Sequence, residues 1–150
     1  MTTVKKAVTA QTVLTADFTF NVGSDAMLNS AGVLTNFKAT TGAFDIMTLP
    51  PGHQVVGGEV VVETVSDETG TATITVGDDN DADYYSNSGT VNIKSAARTA
   101  LTPTGTKHTV SRPIRVTFAN QNGNAAAGVV RVTVAFIVPG SRASENLKTR

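Results

Sequence analysis

Two glutamates four residues apart, Glu59 and Glu63, flank the run Val60-Val61-Val62, and in an extended chain both project from one face. Paired carboxylates on one sheet face can divide acid and base roles in glycoside hydrolysis. The aromatic platform that would stack a sugar is missing, since the chain has no Trp and aromatics make up 5%. The alternation therefore reads both as solvent-facing strand charges. Asp79, Asp81 and Asp83, with Asp78 and Asn80 beside them, begin like a calcium loop, because alternate carboxylates can wrap a hard cation. The pattern then fails, with Tyr84 where the sharp turn needs Gly and Thr90 where a bidentate Glu is needed. An acidic hairpin loop without a metal is the expectation.

The two histidines, His53 and His108, stand apart in the sequence, outside any nucleophile, zinc or phosphate-loop motif. Gly105-Thr106-Lys107 lacks the upstream glycine, position 100 being Ala. Both histidines read as exposed surface residues. Lys94, Arg98, Lys107, Arg112 and Arg115 lie in a stretch, Tyr84 to Ser144, that contains no acid. They are widely spaced, have few aromatics among them for base stacking, and belong to a chain of zero net charge. A solvated or subunit-facing basic surface fits them better than a nucleic-acid site. No catalytic, cofactor-binding or metal-binding residue is assigned.

These side chains need a framework, and composition points to strands. The chain holds 24 Thr and 20 Val, β-branched residues that are stiff at χ1 and suit a pleated surface. No stretch sustains a helical period over three turns; Ser95 to Ala100 is the one candidate for a helical turn. Leu14, Ala16, Phe18, Phe20 and Val22 alternate with polar residues, as do Thr71 to Val76, Ile114 to Phe118 and Val130 to Val138. Further strands are read at Phe44–Ile46, Val55–Val65 and Val91–Ile93, the long run being interrupted by Gly57-Gly58, a bulge signal. Gly23–Asp25 and Asn29–Gly32 read as loop, and Pro50-Pro51-Gly52 as a forced turn.

About eight strands at this spacing predict an all-β, antiparallel β-sandwich, jelly-roll-like, with less than a tenth of the residues helical. Phe18, Phe118, Val132, Val134 and Phe136 are expected in its core. Residues 11–140 would form this domain, and residues 1–10 and 141–150 extended N- and C-terminal arms, frayed or ordered only against a neighbour. With zero cysteines the fold has neither disulfides nor thiolate metal sites. No apolar run is long enough to span a bilayer, and residues 1–12 lack an apolar signal core, so intracellular synthesis without a membrane partner is expected.

Charge is lopsided: residues 1–83 carry 11 acids and 3 bases, residues 84–150 carry 9 bases and one acid, Glu145. Strands from the two halves can interleave and neutralise each other inside one domain. Alternatively the protomer is dipolar and pairs with other subunits, and its attachment then weakens as salt rises.

Leu49-Pro50-Pro51-Gly52 followed by Val55-Val56-Gly57-Gly58-Glu59-Val60-Val61-Val62-Glu63-Thr64 resembles a stretch of small phage virion proteins. Thr73-Ile74-Thr75-Val76-Gly77-Asp78, Asp81-Ala82-Asp83-Tyr84 and Arg98-Thr99-Ala100-Leu101-Thr102-Pro103-Thr104-Gly105 are similar to later parts of that pattern. Over roughly 43–138 the chain thus resembles the head decoration (cement) proteins of tailed bacteriophages. The resemblance implies a non-enzymatic β-sandwich assembled in the host cytoplasm and carried on the outer surface of the virion. Its implied partners are the major capsid protein, whose capsomers it would bridge, and itself, as homodimer or homotrimer, with no cofactor. Two other classes stay open: a tail- or fibre-associated receptor- or glycan-binding module, and a carbohydrate-active or calcium-dependent enzyme.

Overall fold

The computed structural model describes residues 12–86 and 89–138. Among them the chain forms ten strands and no helix: β1 (Leu14–Asn21), β2 (Ala26–Leu28), β3 (Leu34–Asn36), β4 (Thr41–Leu49), β5 (Gln54–Thr64), β6 (Ala72–Gly77), β7 (Val91–Asn92), β8 (Arg98–Ala100), β9 (Arg112–Asn120) and β10 (Val129–Ile137). One sheet has the order β1-β10-β5-β8 and the other β4-β9-β6-β7, with β2-β3 a separate hairpin. Every pairing is antiparallel. Leaving the hairpin aside, the chain switches between the sheets in the jelly-roll order, so the predicted architecture holds.

The period-2 pattern explains which side chains meet between the sheets. In β9, Ile114, Val116 and Phe118 point inward, and in β10 Val130, Val132, Val134 and Phe136 do the same. They join one core with Phe20, Phe37, Phe44, Val60, Val62, Ile74 and Val76. Three phenylalanines gather around Phe118, whose ring centroid lies 5.7 Å from Phe20, 5.1 Å from Phe37 and 6.1 Å from Phe44. Such tilted and edge-on rings add to plain area burial. Phe18 departs from expectation: it packs against the core but stays half-buried, because β1 is an edge strand with no neighbour on one side.

Two local expectations separate. The Gly57-Gly58 signal is a bulge: the β5–β10 register shifts between Ala135 and Phe136, with Val56 left over. Gly58 has φ +141°, and a Cβ there would lie 2.2 Å from the Thr133 carbonyl oxygen, so the position requires glycine. The helical turn at 95–100 is overturned. Arg98–Ala100 is strand β8, its extended backbone paired with Glu59–Val61 of β5. A ladder partner outweighs the weak helix propensity of two alanines. Gly23–Asp25 and Asn29–Gly32, read as loop, lie outside the strands, but the β2-β3 hairpin beside them is not legible in the sequence, its three-residue strands being too short to show a period. The expected arms, 1–10 and 141–150, lie outside the described residues.

The sandwich has two ends. Loops 50–53, 78–86 and 101–111 share one end, where Ile137 pairs with Gln54 and Gln54 bridges to Lys107. Loops 22–25, 65–71 and 121–128 share the other.

Candidate functional site

Glu59 and Glu63 do project from one face of β5, but that face is the outer one and both carboxylates are occupied. Arg131, on neighbouring β10, donates from Nε to Glu63 Oε1 at 2.9 Å; its Nη1 lies 3.8 Å from Glu59 Oε1 and 3.7 Å from Asp17 Oδ1. Arg98 on β8 pairs with Glu59 Oε2 through Nε, and Thr133 donates its hydroxyl to Asp17. The hydrogen bond that Arg131 donates to Glu63, more than any other contact, raises its pKa above the ordinary value. Both carboxylates are thus taken up in guanidinium contacts on the outer face of the sheet.

The other arginines repeat the arrangement. Arg115 makes a fork with Asp45, at 2.7 and 3.0 Å, and Arg112 lies 2.8 Å from Asp79 and 3.7 Å from Asp78. All four arginines among the described residues thus meet acids from residues 1–83, across neighbouring strands or loops. The interleaving of the two charge classes within the protomer accounts for the lopsided sequence. The dipolar alternative, with Arg112 and Arg115 free for another subunit, is corrected: both are already engaged.

The histidines also need correction. They are neither isolated nor both exposed. His53 is fully buried, and its ring stacks on that of His108 with centroids 4.8 Å apart and planes 17° apart. The turn at Pro50-Pro51-Gly52 puts them together. Gly52 N–H donates to the His108 carbonyl at 2.6 Å, and His108 N–H to the His53 carbonyl at 2.9 Å. His53 Nδ1 lies 2.7 Å from the Pro50 carbonyl, which can only accept, so Nδ1 carries the proton. Its Nε2 is left without a partner, as are the buried Tyr85 hydroxyl and Arg112 Nε. Tyr84 closes the group edge-on to His108 at 5.7 Å. Burial, then the stacked His53, pushes His108 below its ordinary pKa against the pull of Asp78 and Asp79. Burial first, then Asp78, raises Tyr85. The stacked rings and the backbone bonds between Gly52, His53 and His108 join the two loops.

In the acidic loop, Asp78 is buried and turned to the backbone, its Oδ1 accepting the N–H groups of Asn80 at 2.8 Å and Asp81 at 3.0 Å. Asp81 and Asp83 adjoin each other, and the side-chain contact with Asp81 raises Asp83. No group of three or more metal-capable side chains converges among the described residues. Elsewhere, two shallow grooves of about 300 and 240 Å³ adjoin at Thr71 and Thr73, lined mainly by small or polar residues. The most apolar exposed feature is the β2-β3 hairpin, where Leu28 and Leu34 face each other across the strands, 59% and 69% exposed, beside Val33. The tip is fixed by Asn29, whose Oδ1 accepts the N–H groups of Ala31 and Val33.

No family model matches the chain, and no curated protein is similar to it. Three solved structures contain a chain of the same shape. One is in the cyanophage Pam1 capsid asymmetric unit, 21% identical with a TM-score of 0.56 over 93% of this chain and 94% of that one. A second is in the acid-stable capsid of Helicobacter pylori bacteriophage KHP30, 17% identical with a TM-score of 0.58 over 90% and 93%. The third is in the capsid of Ralstonia phage GP4, 16% identical with a TM-score of 0.54 over 97% and 92%. The fold is one found in phage capsids.

Within this capsid-type fold, sequence reasoning missed two acids. Glu68 is buried and has no cation beside it; its carboxylate accepts the N–H groups of Gly70 at 3.2 Å and Asn124 at 3.0 Å. Burial is the largest influence and pushes its pKa up, but the surrounding amides together bring it below the ordinary value. Asp67 accepts from Ala126 and Ala127, each at 2.8 Å. Two adjacent acids opening a loop of Ser, Thr and Gly are the only trace of this clamp in the sequence.

Proposed function

We propose that this chain is a structural virion protein that decorates the outer surface of a bacteriophage capsid and stabilises it by bridging major capsid protein subunits. The reading is carried by its likeness, over nearly the full length of both partners, to chains from three phage capsids. The site chemistry supports it. The carboxylates that could have served a reaction are held by arginines or backbone amides, and the histidines are used to join loops. A protein of this kind acts by binding alone: contacts made only with the assembled shell raise the free energy needed to separate its subunits, as any ligand of one state stabilises that state. The fixed, uncharged hairpin tip supports a surface buried on assembly, since exposed apolar patches mark contact sites.

The test is to mix purified protein with particles that lack it, then follow co-sedimentation and the temperature of particle disruption. Saturable binding with a raised disruption temperature is expected. Because the arginines are paired internally, that binding should change little across a salt series. Affinity for host cells or glycans with none for particles would favour the tail- or fibre-associated module and overturn the decoration reading.

A further inference from the structure

The two sheets of the jelly roll have four edges, and the edges are not alike. β7 and β8 are two and three residues long, too short to template a partner strand. β4 is long, but its ladder with β9 shifts register between Asp45 and Met47, and the hairpin reaches over it, Ser30 N–H donating to the Ala43 carbonyl at 2.8 Å. Both are devices by which sheet edges are blunted. β1 has neither. It pairs with β10 in unbroken register along its length, and among the described residues no other strand bonds its outer side. Only at Asn21 is the edge closed, where Asp25 Oδ2 accepts the backbone N–H at 2.8 Å. The core row is unfinished along the same strand: Ala16 and Phe18 stay half-buried, and Leu14 is 37% exposed.

We infer that a second copy of this chain covers this edge, the two β1 strands running antiparallel about a two-fold axis beside Phe18. The two four-stranded sheets then continue as one. The strand is suited to meeting itself. Its single charge is Asp17, so a register centred on Asp17 would set two carboxylates opposite each other. Centred on Phe18, the same strand sets Asp17 against Thr19 of the partner copy and Ala16 against Phe20 of the partner copy. Polar then meets polar on the outer face, and apolar meets apolar toward the cores. The added strand satisfies the open backbone groups and covers the exposed part of Phe18.

This pairing needs no capsid, so its failure and the failure of the decoration reading are separate results. The test is sedimentation equilibrium of the purified full chain across a wide concentration range, with hydrogen exchange of the β1 amides followed in parallel. Thr19 is exposed and lies opposite Arg131 in its own protomer, so Thr19→Asp adds a favourable contact within the protomer while facing Asp17 of the partner copy. Thr19→Lys does the reverse in both places. A concentration-dependent dimer with protected β1 amides is expected. Thr19→Asp should weaken it, and Thr19→Lys tighten it, by roughly two- to thirtyfold, the pair occurring twice by symmetry. The opposite signs within the protomer separate this result from a loss of folding. A monomer at every concentration with freely exchanging β1 amides would overturn the inference, as would a dimer indifferent to both substitutions. A dimer abolished by deleting residues 1–11 would assign the edge to that segment, and would overturn it equally.

Discussion

The two ends of the sandwich solve the same problem in opposite ways. At the end formed by loops 65–71 and 121–128, Asp67 and Glu68 turn into the protein and collect the N–H groups of Gly70, Asn124, Ala126 and Ala127. Asn120 adds two bonds to the carbonyls of Phe37 and Ala39, at 2.8 and 3.0 Å, its own Oδ1 being the one buried atom left without a partner there among the described residues. Loop amides that would otherwise be buried without partners are satisfied by anions needing no counter-cation. The end holding loops 50–53, 78–86 and 101–111 instead stacks two histidines against two tyrosines, and leaves His53 Nε2, the Tyr85 hydroxyl and Arg112 Nε without partners. Unsatisfied buried polar atoms carry a penalty of about 1–3 kcal/mol each. The first end is stitched and the second is held by ring packing, so the two should fail at different pH and under different substitutions.

The largest effect is expected on the stitched side of the core. Phe118→Ala removes the ring on which Phe20, Phe37 and Phe44 converge, and should lower unfolding free energy by about 3–5 kcal/mol in a urea titration. Phe18→Ala, at the half-buried edge, should lose clearly less. Equal losses would mean that the edge row is as well packed as the centre.

Glu68→Gln comes next. It keeps the shape but replaces charge-assisted bonds with a neutral amide, at about 1–3 kcal/mol near pH 7. The folded-state pKa of Glu68 is lowered, so its contribution is present above the unfolded value of 4.5 and is lost as pH falls through the folded value. The gap between wild type and Glu68→Gln should therefore close as samples are acidified from pH 5 toward 3. A gap of constant size across that range would remove the carboxylate from the account.

The histidine end should respond earlier. His108 also has a lowered folded-state pKa, so its neutral form contributes stability that is complete above the unfolded value of 6.5 and lost as pH falls through the folded value. Between pH 7 and 5 the amides of Gly52 and His108 should lose protection, measured relative to the intrinsic exchange rate at each pH, while those of Gly70 and Asn124 keep theirs. His108→Phe keeps a ring on His53 without the charge, and should flatten that response.

The smallest effect belongs to the acidic loop. Asp79→Asn with Asp81→Asn removes one exposed ion pair with Arg112, at about 0–1 kcal/mol, and should leave the melting temperature equally indifferent to calcium before and after. A calcium-dependent rise in the wild type, abolished by the pair, would make the loop a metal site.

What the sequence discloses follows from range. The strands at 14–21, 72–77, 112–120 and 129–137 are legible because alternation is a local signal, and Gly57-Gly58 announces its bulge because glycine is the residue such a backbone requires. The segment 95–100 misleads because its extended form is imposed from outside, by β5. The histidine stack joins positions 55 residues apart in sequence, and neither neighbourhood hints at the other. The charge split was visible, but which strands would lie beside each other was not, and that adjacency decides that Arg131 meets Glu63 and Arg115 meets Asp45. Glu68 was illegible because its partners are backbone amides, which every residue but proline carries.

The strand order also bears on how the chain is made. β1 reaches β5 only through β10, and β4 reaches β6 only through β9. One sheet cannot close until β9 (Arg112–Asn120) has left the ribosome and the other until β10 (Val129–Ile137) has, after several seconds of synthesis at about 5–20 residues per second. Until then the emerging polypeptide is the acidic part, with 11 acids and 3 bases in its first 83 residues, and like charges hold it apart from itself and from its neighbours. The arginines that pair with these acids lie in β8, β9 and β10, so most of the charge is balanced only as the strands that complete the sheets take their places.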